Sequence, residues 1–101
     1  MIKHLTKEDN FDNETKEGLV LVDFFATWCG PCSMLSPVIE DLEKEMEIKV
    51  LKIDVDELPE IAQKFRVMSI PTLLLFKDGK MVNHALGYMP LNHLRKFVLQ
   101  N

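Results

Sequence analysis

Two cysteines, Cys29 and Cys32, flank the dipeptide Gly30-Pro31 and follow Trp28, the single tryptophan of the chain. The run Leu19 to Ala26, apolar except at Asp23, leads into them, and a segment of helical periodicity, Met34 to Met46, leads out. The sulfurs therefore belong where a buried strand ends and a helix begins. At that place the free N–H groups and positive dipole end of the helix stabilise an anion. A thiolate so placed has a lowered pKa, and the thiolate is the form that attacks a disulfide. A second cysteine three residues on can resolve the mixed disulfide that results. Residue types and spacing together point to thiol–disulfide exchange.

Other uses of the pair fit less well. A structural zinc site takes about four ligands, yet there is no second cysteine pair, and His4, His84 and His93 are scattered without ligand spacing. No metal is expected. A purely structural disulfide suits the spacing, but a chain with 47% hydrophobic residues does not need one to fold.

The elements that must position the dithiol follow from length and pattern. One domain spanning residues 1–101 is expected from the length. Twelve basic and sixteen acidic residues are spread along the chain, whereas a nucleic-acid interface would gather basic residues on one face. The first eight residues lack the apolar core of a signal peptide. No apolar run approaches the roughly 18 residues a spanning helix needs. Neither nucleic acid nor membrane is an expected partner, and a reducing cytoplasm is the expected compartment.

Ile2 to His4 alternates like a short edge strand, with His4 on its surface. Thr6 and Asp9 have capping-box spacing, which predicts a helix from near Lys7 to Gly18. The unalternating run Leu19 to Ala26 predicts a strand covered on both faces. Asp23 within it is costly unless paired or protonated. Leu35, Val38, Ile39, Leu42 and Met46 define one helix face, with acidic residues opposite. Pro31 suits the first turn, and Pro37 lies inside the helix. Val50 to Val55 reads as a parallel strand in a right-handed βαβ unit. Lys52 within that strand either snorkels to water or pairs with Asp23. Pro59 introduces a short helix to Phe65. Lys77-Asp78-Gly79-Lys80 joins an apolar strand to an antiparallel edge strand ending near Leu86, where Gly87 breaks it. A last helix opens at Pro90 and carries Leu91, Leu94, Phe97 and Val98 on one face.

The order β-α-β-α-β-α-β-β-α around Trp28-Cys29-Gly30-Pro31-Cys32 resembles the thioredoxin family over nearly the whole chain. Phe24 to Pro37, Asp54, Asp56, Ile70-Pro71-Thr72, Phe76 to Gly79 and Gly87 carry the likeness. The resemblance implies an α/β thioredoxin fold: a central mixed sheet of parallel strands plus an antiparallel C-terminal hairpin, with helices on both faces. It implies that Cys29 attacks and Cys32 resolves. Asp23 matches the family's buried carboxylate, Lys52 its lysine partner, and Pro71 its cis-proline facing the dithiol. Trp28, Gly30, Ile70 and Gly87 match the apolar patch that receives protein substrates, and Gly30-Pro31 matches the reducing members. Three positions depart from common members: Phe25 for a second tryptophan, Ser33 for lysine after the second cysteine, and Ser69 for glycine before Ile-Pro.

The implied function is a dithiol–disulfide oxidoreductase that reduces protein disulfides. No cofactor need bind; a thioredoxin reductase drawing on NADPH would regenerate the dithiol. The expected partners are that reductase and disulfide-bearing proteins, with the chain itself monomeric. Two other readings use the same residues: a protein-binding module in which the dithiol is secondary, and a thiol oxidant or isomerase.

Overall fold

The computed structural model describes residues 1–100. Five strands form one sheet in the order β1-β3-β2-β4-β5. These are β1 (Ile2–His4), β2 (Leu19–Phe25), β3 (Lys49–Asp54), β4 (Thr72–Lys77) and β5 (Lys80–Leu86). The first three run parallel; β4 lies antiparallel to β2, and β5 returns antiparallel to β4 as a hairpin. Four helices accompany them: α1 (Phe11–Thr15), α2 (Gly30–Met46), α3 (Pro59–Lys64) and α4 (Leu91–Leu99). The mixed sheet with a C-terminal hairpin is the one the resemblance implies.

The alternation of strand side chains assigns each helix to a face. Val20, Val22 and Phe24 of β2 join Leu51, Ile53, Leu74 and Phe76 in a cluster with Phe11, Leu58 and Ala62 from the α1 and α3 side. Leu21 of β2, with Val50, Leu73 and Leu75, packs instead on Leu35, Ile39 and Leu42 of α2 and Leu94 and Val98 of α4. Burying one such aliphatic side chain contributes roughly 1.5–3 kcal/mol. Two such layers outweigh the cost of the one buried carboxylate on β2, Asp23.

One helix begins later than its spacing predicts. Asp9 Oδ2 accepts from both the N–H and Oγ1 of Thr6, at 2.9 and 3.0 Å, and Asp9 N–H donates back to the Thr6 carbonyl at 3.1 Å. That closes a turn rather than a helix. Asn10 is the actual N-cap, its side chain accepting from Asn13 N–H at 2.9 Å. So α1 is confined to Phe11–Thr15. In the other direction, α2 starts at Gly30, ahead of its apolar face, because Cys29 caps it and Pro31 occupies its first turn. No helix among the described residues is long and apolar enough to cross a membrane.

Candidate active site, a dithiol at the start of a helix

Strand β2 delivers the chain to Cys29, the N-cap of α2, whose extended backbone leaves its side chain facing the first-turn N–H groups. Its Sγ accepts from the N–H of Cys32 at 3.2 Å. Cys29 and Cys32 are joined as a disulfide, and both are buried in a small cluster with Ala26, against which Phe25, Val55 and Ile70 pack. In the dithiol form, the same N–H and the helix dipole favour negative charge on Cys29. Ser33, in place of a lysine, donates its hydroxyl to the Cys29 carbonyl at 3.3 Å.

The Ile70–Pro71 peptide bond is cis. Pro71 is buried, and the carbonyl oxygen of Ile70 lies 3.8 Å from Cys29 Sγ. Gly87 reaches this loop through its N–H, which donates to the Pro71 carbonyl at 2.8 Å. Its φ of +85° explains the glycine there. Gly30 differs in its φ, which lies outside the left-handed region, although at both glycines an added Cβ would meet no neighbouring group within 4 Å.

Beside the disulfide, Trp28, Val55, Val67, Met68, Ser69 and Ile70 line a shallow groove of about 180 Å³, with Ala62 at its base. Trp28 is 71% exposed and Met68 92% exposed, so large apolar surface stands open to a partner. The indole is held by its Nε1, which donates to Asp56 Oδ2 at 2.8 Å.

Asp23 is 1% exposed. The register sets it opposite Lys52 on β3 and Leu73 on β4. Of the two readings of Lys52, the pairing is the one found, with Nζ 3.4 Å from Asp23 Oδ2. The other oxygen, Oδ1, is buried without a hydrogen-bond partner. Burial pushes the Asp23 carboxyl up to about 6, and the Lys52 charge offsets only part of that rise. The result is a buried group able to gain or lose a proton near neutral pH.

The structure brings Cys29, Cys32, Ile70 and Pro71 together, with Trp28 on the rim and Gly87 one hydrogen bond behind. Asp56, Met68, Phe25 and Ser36 take part in ways the sequence reading does not assign. The ring of Phe25 lies 5.0 Å beneath Lys52 Nζ, and Lys52 donates to Ser36 Oγ at 2.7 Å. The available signal was faint: a hydroxyl four residues after Cys32, and an aromatic two residues after Asp23.

The thioredoxin family model matches residues 2–100. The thioredoxin of Listeria monocytogenes is 50% identical over 100 residues, covering 97% of this chain and 96% of that one. The thioredoxin of Bacillus subtilis is 52% identical over 93 residues, covering 90% and 89%. In structure, a mutant thioredoxin from Halobacterium salinarum superposes with a TM-score of 0.91 at 37% identity, covering 98% of this chain and 88% of that one. The chain belongs to the thioredoxin family, and with its Cys29–Cys32 pair it is a dithiol–disulfide oxidoreductase of the protein-disulfide-reducing kind.

Proposed function

We propose that Cys29 is the attacking thiol and Cys32 the resolving one. The Cys29 thiolate attacks one sulfur of a substrate disulfide, forming a mixed disulfide and releasing the first substrate thiolate. Cys32 then gives its proton to Asp23 and attacks Cys29 Sγ. The second substrate thiolate leaves, and two electrons have passed from the dithiol to the substrate. Lys52 balances the charge of Asp23. Trp28, Gly30, Pro31, Ile70, Pro71 and Gly87 form the surface on which an extended substrate segment rests.

The observation that carries this division of labour is the hydrogen bond from Cys32 N–H to Cys29 Sγ at the head of α2. It stabilises charge on Cys29 and not on Cys32. A thioredoxin reductase drawing on NADPH returns the disulfide to the dithiol, so electrons reach this chain through its sulfurs. We place the protein in the cytoplasm, as a monomer folded as one domain over residues 1–101. The family's general need for a reductase and disulfide substrates supports the partners.

Trapping tests the assignment. After incubation with a disulfide-bonded protein, Cys32→Ser accumulates a mixed disulfide detectable by mass spectrometry, whereas Cys29→Ser does not. Equal trapping by both variants overturns it.

A further inference from the structure

We propose that Ser36 is a positioning residue for the resolving step, its hydroxyl holding the Lys52 ammonium so that Asp23 is only loosely paired. Ser36 lies on α2, one turn past Cys32, and is half-buried over the sheet. Lys52 Nζ donates to Ser36 Oγ at 2.7 Å but stands 3.4 Å from Asp23 Oδ2, outside the usual range for an N–H···O bond. The Phe25 ring, 5.0 Å from the same Nζ, offers a second attraction away from the carboxylate. A lysine with both neighbours satisfied has less reason to close on Asp23. The carboxylate keeps one oxygen unpartnered and stays a stronger base than a tightly paired one.

The groups facing this pair bound the effect. Along the sheet row, β1 contributes His4, the register partner of Lys52, whose ring meets Phe25 edge-on at 5.9 Å. The β4 neighbour of Asp23 is the apolar Leu73. From α2 comes Ser36 itself, with Glu40 one turn further along on the exposed surface. Lys52 is the one cation placed to pair with Asp23 among the described residues. Where Lys52 sits therefore governs how readily Asp23 takes a proton.

The inference rests on the reading of Asp23 as the proton acceptor for Cys32, and the test separates the two. Dithiobis(nitrobenzoic acid) reacts with the dithiol in two phases. Cys29 attack releases one thionitrobenzoate, and Cys32 attack on the resulting mixed disulfide releases the second. With Ser36→Ala, the ammonium closes on Asp23, and the Asp23 titration followed by carboxyl carbon NMR moves to lower pH by on the order of one unit. The acid limb of the second phase shifts the same way, and its rate at neutral pH falls by up to about tenfold. The first phase is unchanged, and Ser36→Thr restores the wild-type profile. An Asp23 titration unmoved in Ser36→Ala overturns the inference, whatever the rates do. A titration that moves while the second phase stays fixed upholds the placement of Lys52 and refutes Asp23 as the acceptor.

Discussion

The indole of Trp28 and the carboxylate of Asp56 are joined by a 2.8 Å hydrogen bond, Nε1 to Oδ2, between residues 28 apart. The bond ties the residue beside Cys29 to the loop that follows β3. Asp56 N–H in turn donates to Asp54 Oδ1 at 2.9 Å, so the acceptor is itself held in place. The rim of the substrate surface is thus fastened to the sheet through the end of a strand.

Asp56→Ala frees the indole. One exposed hydrogen bond of this kind contributes roughly 0.5–1 kcal/mol, a two- to fivefold effect. Reduction of insulin disulfides slows by about that factor, and the emission of Trp28, the sole tryptophan, changes. An unchanged rate and spectrum would mean that the indole keeps its place without Asp56.

Asp23 makes stability depend on pH with a definite sign. Its folded-state pKa, raised by burial to about 6 from an ordinary value of 3.8, means the native state holds the proton more tightly than the unfolded chain. Its contribution is complete below about pH 4 and is lost as pH rises through about 6. The shift corresponds to on the order of 3 kcal/mol. Denaturant unfolding of the disulfide forms from about pH 4 to neutral pH should show wild type losing about that much relative to Asp23→Asn. Parallel profiles would sink the assignment.

Lys52→Met removes the charge 3.4 Å from Asp23 Oδ2 while keeping an apolar stem over Phe25. With that offset gone, the Asp23 titration moves above 6, opposite in direction to Ser36→Ala. Carboxyl carbon NMR against pH reads it directly, and a downward shift would show that Lys52 does not act on Asp23 through its charge.

Glu47 caps α2 in the left-handed region, φ 54°, with its N–H donating to the Glu43 carbonyl at 2.7 Å. A non-glycine residue there costs about 1–2 kcal/mol, and glycine returns some of that as extra freedom in the unfolded chain. The net gain from Glu47→Gly is about 0.5–1 kcal/mol, a rise of a few degrees in Tm. Residue 47 lies at the opposite end of α2 from Cys29, so reductase activity stays at the wild-type level. A lower Tm in calorimetry would contradict this account of the cap.

The residues alone determined what is local. The apolar run into Cys29, the helical face from Leu35 to Met46 and the turn at Asp78-Gly79 each lie within one stretch of chain, where an unbroken apolar run, a period of 3.6 and turn-forming residues are visible. The same local logic misjudged α1, because Thr6–Asp9 spacing closes a turn with the side-chain-to-backbone bond that would otherwise open a helix. The cis bond at Pro71 was legible only through family resemblance, since nothing in Ile70-Pro71-Thr72 by itself selects cis over trans. Tertiary structure decided the electrostatics. Strand register sets Lys52 against Asp23, and the packing of α2 on the sheet brings Ser36 to the same ammonium. Those distances depend on how separate elements meet, and a buried charge is governed by the few groups within several ångströms of it, wherever they lie in the chain.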